Sequence, residues 1–415
     1  MQSLFRIYKK HKSYHKKRTD KLSVLHLFNS YPGSNTTNWL FNLINNIPNC
    51  EVTIAAEFYT KHNFYNGKYN YIDNPLASIT SYKRKIKTWS PKLFDKIIYY
   101  IIEKILGSFS SYLNKEISKR DIDIIHAHFA DVGCEHFHTA KQNKIPLVVS
   151  FYGYDYEYLP HIKPEYKQKY KKLFGIADKF ICEGIHGASI LKNMGCPNEK
   201  IEVVRLGVEI NRIPFQTRSK TPDKLNLLQI AALREKKGHI YTLKAFHRAL
   251  VECPSMHLTF VGSGEIKIYN QLEEYIVNNR LQKNITILSE IDFNKLHEYI
   301  SRFDVFIHPS CYSIDKDCEG GAPIVLLDAQ ACGLPIISTT HCDIPDEVVH
   351  KKTGLLTSEK DIDSLTNSIK LFYNMTDEEY RIFSDAARKH VEENYSIKEN
   401  AIRLKEVYNS LINLN

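Results

Sequence analysis

The chain has 415 residues, 43% of them hydrophobic and 25% charged, with a formal net charge of +9. That length is large for one hydrophobic core and suits two, and the apolar fraction is that of a globular protein rather than a disordered or fibrous one. The positive charge favours an anionic partner, but no arginine-rich helix or Cys/His finger spacing accompanies it, which argues against nucleic acid.

In chain order, residues 1–21 form a basic tail, dense in Lys, Arg and His from position 6 onward. Such a run reads as a solvated arm, with attraction to an anionic membrane surface as the sharper alternative. Residues 22–208 then alternate short apolar runs with amphipathic stretches, and strands are expected at 23–28, 52–56, 122–126, 147–151, 179–182 and 201–205. An aromatic-rich run at 58–71 reads as a surface segment where an acceptor could bind. A lysine cluster at 83–96 precedes an apolar stripe from Ile97 to Phe109, which reads as a core-facing helix, with membrane docking as the minor alternative. His126 and His128 alternate on a strand and share a face, whereas His136 and His138 face apart on a helix. Neither pair has a third ligand in the sequence, so zinc is not expected at either.

Residues 209–224, with Pro214, Pro222 and many polar side chains, read as a linker. From 225 to 375 the alternation resumes, with strands expected at 226–233, 257–261, 285–288, 305–308, 336–339 and 354–356. Residues 376–415 read as helices, expected to cross back to the first domain. Repeated strand–helix alternation implies parallel sheets with helical crossovers, here two doubly wound α/β domains facing a cleft. The nine cysteines include no C-x-x-C pair and read as free thiols of a reducing compartment. With no bilayer-length apolar run and no signal-peptide core, the expected location is cytoplasmic, with a peripheral position at the inner face of the plasma membrane as the membrane alternative.

Ligands of open α/β sheets bind at the carboxyl ends of the strands. Several glycine-rich or polar loops fall there: Gly33 after the first strand, "FYGYD" with Tyr152 and Asp155, "REKKGH" with Arg234 and Lys237, "GSGE" with Gly262, and "CEGGAP". In the last, Glu319 precedes Gly320 and Gly321, Pro323 reads as the first residue of a helix, and Asp328 follows about a turn and a half later. Bare backbone at a helix start suits phosphate, and carboxylates suit sugar hydroxyls. Three D-x-D triplets occur. Asp315 and Asp317 stand near Glu319 and are the one serious candidate for a divalent cation, but a solvated loop is the preferred reading.

The motifs "REKKGH", "FVGSGE", "EGGAPIVLLDAQACGLPIIST", "DIPDEVV" and "KTGLL", with "IHAHF" and "FYGYD" in the first half, resemble the retaining glycosyltransferases of family 4, which have the GT-B fold. The resemblance implies two Rossmann-like domains, a UDP- or GDP-sugar donor held mainly by the second, a glycan or lipid-linked acceptor, and no metal or other cofactor. It also implies roles: Lys237 on the diphosphate, N–H groups around Ala322, Ile324 and Val325 on phosphate oxygens, Glu319 on the donor sugar and Asp328 on the ribose. Four positions depart from the family pattern. Eight residues instead of seven separate Glu319 from Asp328, Ala232 stands where an arginine is usual, Tyr152 replaces a histidine, and Lys351 replaces a glycine. These departures keep two other readings in view, a non-catalytic sugar-nucleotide-binding scaffold and a sugar-nucleotide epimerase.

Overall fold

The computed structural model describes residues 21–30, 38–58, 69–72 and 109–412. The basic tail, Gly33, most of the aromatic run, and the 83–96 cluster with most of its apolar stripe lie outside the described residues. Among the described residues, no helix is long and apolar enough to cross a membrane.

Seven strands make the first sheet: β1 (Leu22–Ser30), β2 (Cys50–Phe58), β3 (Asn70–Ile72), β4 (Ile124–His128), β5 (Leu147–Ser150), β6 (Lys179–Cys182) and β7 (Ile201–Val203). Their spatial order is β3-β2-β1-β4-β5-β6-β7. The second sheet contains β8 (Leu225–Ile230), β9 (Met256–Val261), β10 (Ile285–Leu288), β11 (Val305–His308), β12 (Ile336–Thr339) and β13 (Gly354–Thr357), in the order β10-β9-β8-β11-β12-β13. Every pairing is parallel. Helices cover both faces, so central strands are buried throughout and largely apolar: all four residues of β5 and of β11 are buried.

In each sheet the strand order reverses once, between β1 and β4 and between β8 and β11. Those reversals open crevices at the strands' carboxyl ends. β6, β10, β11 and β12 match the sequence expectation residue for residue. β3 was not expected, because it is a three-residue edge strand with two exposed residues and no apolar run. The reading of 226–233 as one strand overran, since regular β8 stops at Ile230 and only an isolated bridge, Leu233 to Gly264, follows.

The two last helices part company. Helix Asp377–Asn394, opened by a Thr376/Glu379 capping box, stays with the second domain, where Val391 packs with Leu326 and Ala331. Helix Ile397–Ile412 lies on the first sheet. Its residues Ile397, Ala401, Leu404, Tyr408 and Leu411 recur at helical spacing and pack with Leu22, Val24, Ile124 and Val148. The chain crosses beside itself at one place, where Val208 N–H donates to Tyr395 O (3.0 Å) and Ile397 N–H to Val208 O (3.2 Å). The 209–224 segment is not a free tether. Arg218 donates to the carbonyls of Ser301, Phe303 and Cys332, and buried Lys220 donates to Tyr373 O at 2.7 Å. Its basic side chains satisfy carbonyls of the second domain that would otherwise lack donors.

Candidate active site

The crevice of the second sheet is built by the loops that follow its two central strands. After β8 the chain makes a tight turn, Glu235–Lys237, and enters helix His239–Leu250 through Gly238. Gly238 has φ +69°, and a Cβ there would overlap the Pro309 carbonyl, so only glycine lets the two loops meet. Gln229, at the end of β8, donates to Lys237 O (2.7 Å) and accepts from Thr242 Oγ1 (2.7 Å), which fixes the turn. Lys237 Nζ then reaches across and donates to Glu319 Oε2 at 2.7 Å.

Glu319 belongs to the loop after β11. Its second oxygen accepts from Ser310 Oγ (2.8 Å), its N–H donates to His341 Nε2 (3.1 Å), and His308 Nε2 stands 3.7 Å from Oε1. Burial alone would raise this carboxyl, but the charges of Lys237 and Lys236, with the Lys237 hydrogen bond, outweigh it and hold the pKa down to about 2. His308 is kept neutral by burial, with its pKa lowered to about 3. Ser310, His308 and His341 were not singled out from the sequence. The available signal was their position, polar residues at the carboxyl ends of β11 and β12.

The glycine loop meets the first domain backbone to backbone. Gly320 (φ +77°) and Gly153 (φ +76°) touch so closely that a Cβ on either would overlap the other strand of chain, and Tyr156 Oη donates to Gly320 O at 2.8 Å. Gly321 lies against the Glu183 carboxylate. Pro323 is not the first helical residue. Ile324 caps the helix Val325–Ala331, and Pro323 contributes its carbonyl to Leu326 N–H (2.8 Å). Among the described residues, the N–H groups of Ala322, Ile324 and Val325 donate to no protein acceptor. Asp328 accepts from His297 Nε2 at 2.8 Å. Arg234 is exposed at the start of the Glu235–Lys237 turn, and Gly262 closes β9 by donating to Leu288 O (2.8 Å).

Two first-domain candidates sit differently from the sequence reading. Tyr152 Oη pairs with His128 Nδ1 at 2.8 Å, and burial pushes the phenol far above its ordinary range. Asp155 was grouped with substrate-binding residues, yet it is fully buried and accepts from two backbone N–H groups, Ala130 (2.8 Å) and Tyr152 (2.8 Å). Burial pushes its carboxyl up to about 7 against the pull of those donors. Asp155→Ala should therefore leave two N–H groups unsatisfied and cost about 2–5 kcal/mol in urea unfolding, with Asp155→Asn in between. An unchanged unfolding midpoint in the alanine variant would contradict this structural role.

The zinc question at His126 and His128 also changes, because the fold brings a third histidine. His26 Nδ1 lies 2.8 Å from His128 Nε2, and all three rings are buried. Their nitrogens are largely used, His126 by Tyr408 Oη (2.6 Å) and Ser150 Oγ (2.7 Å), and His128 by His26 and Tyr152. The group is a hydrogen-bonded network that ties the final helix to the first sheet. In the D-x-D triplet, Asp317 accepts from Lys236 Nζ (3.0 Å), and Asp315 from Tyr158 Oη (3.0 Å) and Ser313 Oγ (2.6 Å).

Residues 210–390 match the family model described as Glycosyl transferases group 1, and residues 97–212 match that described as Glycosyltransferase Family 4. The amylovoran biosynthesis glycosyltransferase AmsK of Erwinia amylovora is 29% identical over 252 residues, 61% of this chain and 61% of AmsK. The putative colanic acid biosynthesis glycosyltransferase WcaL of Escherichia coli K12 is 28% identical over 290 residues, 66% of this chain and 67% of WcaL. The chain thus spans about three-fifths to two-thirds of the length of these curated relatives. Among solved structures, Anabaena Alr3699/HepE in complex with UDP and glucose superposes with a TM-score of 0.66 at 14% identity, covering 94% of this chain and 100% of that one. This likeness shows the fold, two facing parallel-sheet domains of the GT-B type.

Proposed function

From a chain that carries a glycosyl transferases group 1 domain and a glycosyltransferase family 4 domain, we propose a sugar transferase acting on a nucleotide sugar. The donor is a UDP- or GDP-sugar, and the acceptor is a glycan or a lipid-linked saccharide in bacterial surface-polysaccharide biosynthesis. The names of AmsK and WcaL support that setting. The basic tail suits docking at an anionic membrane face, where a lipid-linked acceptor would lie.

The observation that carries the reading is the Lys237–Glu319 pair at the carboxyl edge of β8 and β11. When a sugar leaves its nucleotide, negative charge grows on the departing diphosphate. A cation preset there, with unpaired N–H groups of Ala322, Ile324 and Val325 beside it, stabilises that charge more in the transition state than in the ground state. Glu319 then accepts from donor-sugar hydroxyls and Asp328 from the ribose, while exposed Arg234 offers a second positive charge at the rim. Transfer with retention of configuration follows the family pattern.

Because Lys237 supplies the charge and Asp315 and Asp317 are held by protein donors, no divalent cation is required at the diphosphate. Turnover should be the same with and without added Mg²⁺, and NMR of the product should show the donor's anomeric configuration. A Mg²⁺ requirement would reassign Asp315 and Asp317 as metal ligands, and an inverted product would refute retention.

A further inference from the structure

Behind the glycine loop, three ligand-type side chains converge, and a fourth, His186, adjoins them through Glu157. Cys318, immediately before Glu319, and Cys342, in the loop after β12, come from the second domain. Glu157 and His186 come from the first. Cys318 Sγ lies 3.1 Å from Glu157 Oε2, and His186 Nε2 lies 3.1 Å from the same oxygen. Cys342 Sγ stands 3.2 Å from His341 Nε2. The two sulfurs and a Glu157 oxygen lie within 4.8 Å of one another.

We propose that Cys318, Cys342, Glu157 and His186 form a zinc site that joins the two domains. Two sulfurs, an imidazole and a carboxylate are a ligand set that zinc accepts in tetrahedral geometry. Zinc–sulfur bonds of about 2.3 Å put tetrahedral sulfurs about 3.8 Å apart, inside the 4.8 Å within which the two sulfurs and the Glu157 oxygen lie.

The backbone around the group is specialised. Cys342 has φ +47°, a left-handed conformation that a non-glycine residue rarely adopts, and it turns the thiol toward the cluster. Glu157 sits in a π-helical turn, Tyr154–Tyr158, a form rare in helices and frequent at functional sites. Tyr312 Oη donates to the other Glu157 oxygen at 2.8 Å, the kind of outer partner that orients a metal-bound carboxylate. An ion here holds the Glu319 loop of one domain against the 154–158 turn of the other. It is a positioning element, separate from the charge that Lys237 supplies, and it does not depend on which reaction the cleft performs.

The test is the metal content of the full-length protein, equilibrated with zinc at micromolar free concentration and then desalted. Wild type should retain one zinc per chain by mass spectrometry of the metal. Cobalt(II) in its place should give thiolate-to-cobalt charge-transfer absorption and the d–d bands of a tetrahedral site. Cys318→Ser and Cys342→Ser should lose both signals, while Cys134→Ser, a cysteine remote from the group in sequence, keeps them. Should a cysteine variant fail to fold, His186→Ala is the second arm. It removes a half-buried side chain and should weaken zinc roughly tenfold or more with an unchanged circular dichroism spectrum. Wild-type protein that retains no zinc and shows no charge-transfer band with cobalt would overturn the proposal. So would full zinc content in the Cys318→Ser/Cys342→Ser double variant.

Discussion

Lys237→Ala should lower nucleotide-sugar turnover by roughly 10²–10³-fold while the circular dichroism spectrum stays that of the wild type. The loss should fall mainly on kcat, because the charge that Lys237 meets is larger on the departing diphosphate than on the bound donor. Lys236 is already engaged by Asp317 (3.0 Å) and the Cys318 carbonyl (2.7 Å), so it does not take over that role. Removing Lys237 also strips Glu319 of its nearest counter-charge, since the pair is 2.7 Å apart in a largely buried setting. Turnover near the wild-type value would remove Lys237 from the chemistry and leave it a structural partner of Glu319.

Glu319→Gln should lower turnover by a similar factor, for a different reason. The glutamine keeps the shape and one acceptor oxygen, so the contact with Ser310 can survive. It loses the charge that pairs with Lys237 and that strengthens hydrogen bonds from sugar hydroxyls. The same variant has a stability signature. The Glu319 carboxyl sits at about 2, against 4.5 for an unperturbed group: burial raises it, and Lys237 and Lys236 more than compensate. A depressed acid contributes its stability in full above the unfolded value and loses it as the pH falls through the folded one. The difference in unfolding free energy between wild type and Glu319→Gln should therefore shrink as the pH drops from about 4.5 to about 2. A difference that stays constant across that window would mean that the carboxylate charge contributes nothing to the fold.

The architecture was legible because parallel strands buried on both faces leave short, largely apolar runs, as in β11 and β12. β3 left no such run. Lys237 and Glu319 could be found because charged residues in glycine loops at strand ends fall where open α/β sheets bind ligands. What joins them could not. The approach of Gly320 to Gly153, and of His26 to His128, depends on segments more than a hundred residues apart. The 209–224 segment reads as a linker for a related reason: its prolines and polar residues do not show that Arg218 and Lys220 are spent on carbonyls contributed by distant loops. Asp155 shows the limit at a single position, because a carboxylate after a glycine turn looks the same in sequence whether it faces a sugar or caps two buried N–H groups.

The Lys237–Glu319 crevice is proposed to turn over a nucleotide sugar. Its most direct test is the release of free nucleotide from a panel of UDP- and GDP-sugars, with lipid-linked saccharides supplied as acceptors, by wild type and by Lys237→Ala. The wild type should release UDP or GDP from at least one donor, and the variant should be at or near background on that donor. No release from any donor by a folded wild-type protein, or equal release by the two proteins, would contradict the account.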